Sequence, residues 1–309
     1  MILQRTLEKT TTISGIGLHS GARINLIMRP AAANTGIIFH RTDGAQVVDI
    51  KACSENVVDT RMATVIGRQG MTVSTIEHFM AALAAFGIDN LHVDVDGPEV
   101  PVLDGSAAPF IREIQQAGIR TLDSSRKFIA IRKPLEIIEG EKRISIIPSR
   151  FFRISFDIAF DHPAISVQHY SMKFTTENFC KEIADARTFG FLHEVEYLKA
   201  NGLARGGSLE NAVVIDDNGV MNPEGLRYQN EFVRHKILDS FGDFSLLGAP
   251  LLGHIRAFKA GHDLNAKMVR AIEENPTHWA YVEFSDQALK EARRSNSKAF
   301  TIDLAWHKA

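Results

Sequence analysis

Hydrophobic spacing in this chain changes from every second residue to every third or fourth, and then does so again, a pattern few folds accept. Arg23-Ile-Asn-Leu-Ile-Met and Gly36-Ile-Ile-Phe are short, alternating and bounded by turn residues, as antiparallel strands are. Residues 73–87 then read as a helix, with Ile76, Phe79, Met80, Leu83 and Phe86 on one face and Gly87 as the C-terminal cap. Leu91-His-Val-Asp-Val reads as a further strand and 107–117 as a second helix. After 118–127 the plan restarts. Phe128-Ile-Ala-Ile, Arg143-Ile-Ser-Ile-Ile and 152–160 read as strands, with Glu139-Gly140 as a hairpin tip, and helices follow at 194–200, at 232–244 and from 261 onward. Strands grouped with amphipathic helices, twice over, predict an α+β protein of duplicated plan, although no residue-level repeat accompanies it. The expected division is 1–122 and 127–309, around Asp123-Ser-Ser.

The helix at 232–244 has two contrasting faces. Val233, Ile237, Phe241 and Phe244 share one, while His235, Asp239 and Asp243 lie roughly opposite, each a turn beyond the last. Side chains four residues apart on a helix have Cβ atoms about 5–6 Å apart. An imidazole nitrogen and a carboxylate oxygen can then meet one cation at about 2.0–2.2 Å. His235 and Asp239 form a two-point metal clamp if a third ligand exists; without one, the stripe is the solvated face of any surface helix. The helix at 73–87 also supports two readings. Beside its apolar face it carries Glu77, His78 and the small residues Ala81, Ala82, Ala84 and Ala85, which admit close packing. Ser74 with Glu77 fits an S-x-x-E capping box, a structural task for Glu77, and His78 fits a hydrogen-bonded, partly buried histidine. Gly15-Ile-Gly-Leu-His-Ser-Gly lacks GxGxxG spacing and leads into a strand, which argues against a dinucleotide cradle. It is a tight turn whose His19 is either a site residue or a loop histidine.

Composition narrows function by exclusion. Of 309 residues, 45% are hydrophobic and 23% charged, the balance of a folded globular chain. The 35 Lys+Arg against 37 Asp+Glu leave a formal charge of -2, so no net field favours nucleic acid or an anionic membrane. Cys53 and Cys180 stand far apart and outside any CxxC, so a bound metal must be held by His and carboxylate. Charge near the N-terminus interrupts the apolar core a signal peptide needs. No apolar run is long enough to span a bilayer, and the expectation is a cytoplasmic protein.

Gly15-Ile-Gly-Leu-His-Ser-Gly, Ser74-Thr-Ile-Glu-His-Phe, Pro101-Val-Leu-Asp-Gly-Ser, Arg187-Thr-Phe-Gly-Phe, Glu231-Phe-Val-Arg-His-Lys-Ile-Leu-Asp and Gly261-His together resemble the zinc-dependent UDP-3-O-acyl-N-acetylglucosamine deacetylases of lipid A synthesis. They occur in family order over most of the chain. The resemblance implies two similar domains, each a two-layer unit of sheet and helices, with helices sandwiched between the two sheets and the active site at the domain interface. The first domain would supply Glu77 and His78. The second would supply His235, Asp239, Asp243 and His262, with an acyl-chain-binding insert near 188–215.

The resemblance also implies that Zn2+ is held by His78, His235 and Asp239 with a position open for water; the same donor types also suit Fe2+. Glu77 would act as general base and His262 as the cationic acid, with Asp243 orienting His262 and Thr188 donating to the oxyanion. Lys236 and Lys259 are candidates for phosphate or sugar contacts against the alternative of ordinary exposed lysines, and His19 is a further substrate-binding candidate. Phe189 and Phe191 look like the acyl passage, with a core role as the alternative. The implied reaction removes the N-acetyl group of UDP-3-O-(3-hydroxyacyl)-N-acetylglucosamine as acetate, leaving the free amine, the committed step of lipid A biosynthesis. The expected enzyme is a monomer whose partner is this small molecule, without nucleic acid or an integral membrane segment. A non-enzymatic sugar-nucleotide- or protein-binding module on the same fold remains the alternative class, because fold does not dictate function.

Overall fold

The computed structural model describes residues 1–285. Five strands, in the spatial order Thr11–Ile16, Arg23–Pro30, Leu91–Val95, Ile37–Arg41 and Val48–Lys51, make the first large sheet. Their alternation turns one face inward: Ile24, Leu26 and Met28 of one strand and Leu91, Val93 and Val95 of its neighbour are buried. A small sheet of Val57–Asp59, Val65–Arg68 and Met71–Val73 leads into helix α1, Glu77–Phe86. The helix starts later than its apolar spacing suggests, because Val73 still belongs to a strand and Thr75 takes φ 57°.

The capping box does not form. No side chain caps α1, the Ser74 hydroxyl lies 3.1 Å from that of Thr75, and Glu77 Oε2 accepts the Thr64 backbone N–H at 3.1 Å. Gly87 does end the helix, at φ 66°. Helix α2, Ala108–Ala117, follows with Phe110, Ile111 and Ile114 buried. The next segment, expected to connect two domains, is itself a strand: Ile119–Ser125 pairs antiparallel with Leu3–Leu7.

The second large sheet runs Leu135–Glu139, Lys142–Ile147, Leu251–Phe258, Phe128–Ile131 and Trp279–Val282, with Phe152–Ala159 also paired to Leu251–Phe258 and Val167–Lys173 beyond it. Glu139 pairs with Lys142 across Gly140 at φ 57°, the expected hairpin tip. Four more helices lie in this half: α3 Thr176–Glu182, α4 Leu192–Ala200, α5 Glu231–Ser245 and α6 His262–Glu274. Among the described residues no sheet mixes strands from before and after residue 126. Residues 286–309 of the expected second domain lie outside the described part.

Helices α1 and α5 pack on each other between the two large sheets. Phe79 of α1 meets Phe39 of the first sheet edge-on at 6.0 Å, and Phe241 of α5 meets Phe152 and Phe174 on the other side at 5.3 and 4.5 Å between ring centroids. The helices approach tightly at Gly242, where an added Cβ would collide with the carbonyl oxygen of Glu77. One and two turns along α1 from Glu77, Ala81 and Ala85 are fully buried, so small residues continue the contact. Gly242→Ala is expected to lower stability by about 1–3 kcal/mol, the usual range for overpacking, read as a lower midpoint in denaturant unfolding. An unchanged midpoint would show that the helices separate freely.

Candidate functional site

The close approach brings the polar faces of α1 and α5 against each other. His78 from α1 and His235 and Asp239 from α5 are buried, and one ligand atom of each lies within 4.8 Å of the others. His78 Nε2 and His235 Nε2 stand 3.4 and 3.2 Å from Asp239 Oδ1. That oxygen is buried and makes no hydrogen bond. An orphaned buried acceptor costs about 1–3 kcal/mol unless something fills the gap.

The neighbours prepare these atoms to bind a cation. His235 Nδ1 lies 3.0 Å from the carbonyl oxygen of Ala186, and since a carbonyl only accepts, the proton sits on Nδ1 and the Nε2 lone pair faces Asp239. Burial holds His235 neutral by lowering its pKa to about 3, against the pull of Asp239. Burial also opposes the charge on Asp239, but its neighbours His235, Lys236 and His78 hold its carboxyl well below the usual range. Imidazole nitrogens and an unpaired carboxylate oxygen around one gap fit a divalent cation with three protein ligands.

Two further groups face the same gap. His262, the first residue of α6, has Nε2 3.9 Å from Glu77 Oε1 and from Asp239 Oδ2, and Nδ1 2.9 Å from Asp243 Oδ2. Burial and the positive end of the helix both disfavour a cation there. Asp243, Glu77 and Asp239 together outweigh the burial and raise the His262 pKa to about 10. Glu77 is buried beside it, and burial pushes its pKa up against the cationic pull of His262. A carboxyl of raised pKa facing an imidazolium is the pairing that acid–base chemistry needs.

A model of the UDP-3-O-acyl N-acetylglycosamine deacetylase family matches residues 4–274. The chain belongs to that family. The UDP-3-O-acyl-N-acetylglucosamine deacetylase of Syntrophotalea carbinolica is 65% identical over 288 residues, 93% of each chain. The enzyme of the same name from Geotalea uraniireducens is 54% identical over 312 residues and covers all of both chains. That of Vibrio vulnificus is 46% identical over 290 residues, 93% of this chain and 95% of its own.

Other residues singled out by resemblance to the deacetylase family have mixed surroundings. Lys236 is not an ordinary surface lysine: its ammonium bonds Asp239 Oδ2 at 2.9 Å and lies 5.5 Å from the Phe189 ring. The Lys259 ammonium instead pairs with Glu141 of the hairpin tip at 2.7 Å. Thr188 donates its backbone N–H to the Gly105 carbonyl at 2.8 Å, joining the two halves of the chain. Phe189 packs on Phe232 and Phe160 at 5.0 and 5.9 Å, and Phe191 on Phe160 at 5.9 Å, both partly buried against the core. The His19 backbone N–H bonds the buried Glu99 carboxylate at 2.9 Å, while both nitrogens of its ring are buried without a partner.

Sequence reasoning missed Thr64 and Asn265. Asp243 Oδ1 accepts the Thr64 hydroxyl at 2.5 Å, and Asp243 Oδ2 accepts Asn265 Nδ2 at 2.8 Å. Thr64 thus touches both Glu77 and Asp243. Nothing in Arg61-Met-Ala-Thr signals this, whereas Asn265, three residues after His262 on an amphipathic helix, carries a usable spacing signal. A cavity of about 390 Å³ walled by Met80, Leu83, Phe152, Phe174, Phe241 and Phe244 holds none of the ionisable site groups. His235→Ala and Asp239→Ala are each expected to lose bound metal, by elemental analysis of purified protein, while circular dichroism stays native. Full occupancy in both variants contradicts the ligand set.

Proposed function

We propose that this chain hydrolyses the N-acetyl group of UDP-3-O-(3-hydroxyacyl)-N-acetylglucosamine to acetate and the free amine, in lipid A biosynthesis, with Zn2+ as its metal. The observation that carries the reading is the convergence of Glu77 and His262 on the His78, His235 and Asp239 donors in a chain of this family. When bound there, Zn2+ supplies a Lewis acid and lowers the pKa of a coordinated water to about 7. Glu77 takes the proton of the attacking water, and its raised pKa brings it nearer the value an effective base needs at neutral pH. His262, held cationic by Asp243, faces the developing oxyanion and then gives its Nε2 proton to the departing amine. Asp243 orients the ring through its contact with Nδ1. The acid–base pair supports hydrolysis over the oxygen chemistry of an Fe2+ site with the same ligand types.

Thr188 is assigned as a second donor to the oxyanion. His19, Lys236 and Lys259 are assigned to the sugar and diphosphate; the orphaned ring nitrogens of His19 and the ammonium of Lys236 beside Asp239 support two of these contacts. Phe189 and Phe191 line the acyl passage, a role supported by their aromatic row with Phe160 beside His235. The proposed organisation is two domains, 1–122 and 127–309, meeting at the site, in a cytoplasmic monomer. Among the described residues no helix is long and apolar enough to cross a membrane.

Acetate release from the acylated UDP-sugar is expected to stop on chelation and return with zinc; turnover indifferent to chelator rejects the reading. Glu77→Gln and His262→Ala are expected to keep metal and fold while kcat falls about 10²–10⁴-fold. Activity should rise with pH as Glu77 loses its proton and fall as His262 loses its own. Because Asp243 raises the His262 pKa, Asp243→Asn should move the basic limb of the pH profile to lower pH, and a limb that stays put assigns the acid elsewhere.

A further inference from the structure

The best-satisfied buried charge in this half of the molecule belongs to none of the groups discussed so far. Glu231, the first residue of α5, is fully buried, and its carboxylate accepts four N–H groups. Three come from Arg187: the backbone N–H and Nε on Oε1, each at 2.9 Å, and Nη2 on Oε2 at 3.2 Å. The fourth is the Arg227 backbone N–H on Oε2 at 2.6 Å. Arg187, itself 1% exposed, also bonds Glu224 and the Gly225 carbonyl. A guanidinium and a carboxylate buried together need a full set of partners, and here they have one.

The position of this pair in the chain gives it a consequence for the metal ligands. Glu231 stands one turn before His235 on α5, and Arg187 directly follows Ala186, whose carbonyl takes the His235 Nδ1 proton at 3.0 Å. The clamp therefore ties the 186–188 segment to the same helix that carries His235. Without it, no other side chain of α5 grips the backbone of Arg187 in the described structure. The outer partner of a metal-binding histidine selects its tautomer and ring orientation, and losing such a partner typically weakens metal binding about 10–100-fold.

We propose that Glu231 and Arg187 are positioning residues for the metal centre. They hold the Ala186 carbonyl on His235 Nδ1, so that Nε2 is presented unprotonated toward the site, and they touch neither metal nor substrate. The inference rests on the metal-site reading above. The two fail separately: unmodified protein that binds no zinc removes that reading, whereas equal zinc binding by unmodified protein and clamp variants removes only the clamp.

The test uses full-length protein stripped of metal and titrated with zinc against a chromophoric chelator, well below the melting temperature of each variant. Glu231→Gln keeps the shape but replaces one acceptor oxygen with a donor, and Arg187→Lys keeps the charge but loses the fork. Asp89→Asn serves as control, because it breaks a different ion pair, with Arg126 at 2.7 Å, in the lining of the cavity that holds none of the site groups. All three variants should melt earlier. Zinc affinity should fall about 10–100-fold in the two clamp variants and stay unchanged in the control. Nitrogen NMR of the metal-free protein should show His235 protonated on Nδ1 in the unmodified chain and control, and a mixture of tautomers in the clamp variants. Should Glu231→Gln fail to fold, Arg187→Lys decides. Clamp variants with unmodified zinc affinity and a pure Nδ1 tautomer overturn the proposal.

Discussion

Everything at the site depends on how closely α5 can approach the start of α1. Gly242 lies where any side chain would meet the Glu77 carbonyl, and the buried alanines of α1 continue that line. The contact is short because the aromatic faces point the other way. Phe79 is drawn toward the first sheet and Phe241 toward the second, so each helix satisfies its hydrophobic demand outward and leaves its polar face for the other. Polar stripes that would be solvated on isolated helices thus become the two walls of one buried site.

That burial creates an electrostatic demand. Glu77, Asp239 and Asp243 place three carboxyls in low dielectric, with the cations His262 and Lys236 among them. When all are ionised, one negative charge is left over, and Asp239 Oδ1 is left without a hydrogen bond. A divalent cation answers both deficits, which explains why so costly a cluster can be kept. The carboxyls are also differentiated by their surroundings. Asp243 is satisfied by Thr64, Asn265 and His262 and acts on the imidazole, whereas Glu77 receives a single backbone N–H and has a raised pKa. One kind of side chain is therefore placed in three different settings by its neighbours, as the proposed roles of ligand, orienter and base require.

The legible parts of the chain were those governed by short-range periodicity. The strands around Ile24, Leu26 and Met28, the hairpin tip at Gly140, the cap at Gly87 and the two faces of α5 follow from repeat length and turn chemistry. Two local expectations failed because a longer-range contact won. Ser74 and Glu77 have the spacing of a capping box, yet Thr75 at φ 57° turns the chain sharply and Glu77 is taken by Thr64. Residues 119–125 have the composition of a connector, yet they find a partner in Leu3–Leu7 more than a hundred residues earlier. Thr64 escaped notice for a related reason: a hydroxyl without periodic company carries no local sign of the partners that give it its work.

By itself the sequence determined the secondary elements, the amphipathic faces of α1 and α5, the metal clamp of His235 and Asp239 as a possibility, and, through six separated segments, the resemblance to a deacetylase family. Only the tertiary structure decided that the stripe on α5 faces a second helix and not water. It also brought His78 beside His235 and Asp239, set His262 against Asp243, and placed the Ala186 carbonyl on His235 Nδ1. The physical reason is distance. Spacing along one helix is dictated by its geometry, but a third ligand from another element, a raised pKa and an orphaned oxygen exist only once separate parts of the chain are brought together and water is excluded between them.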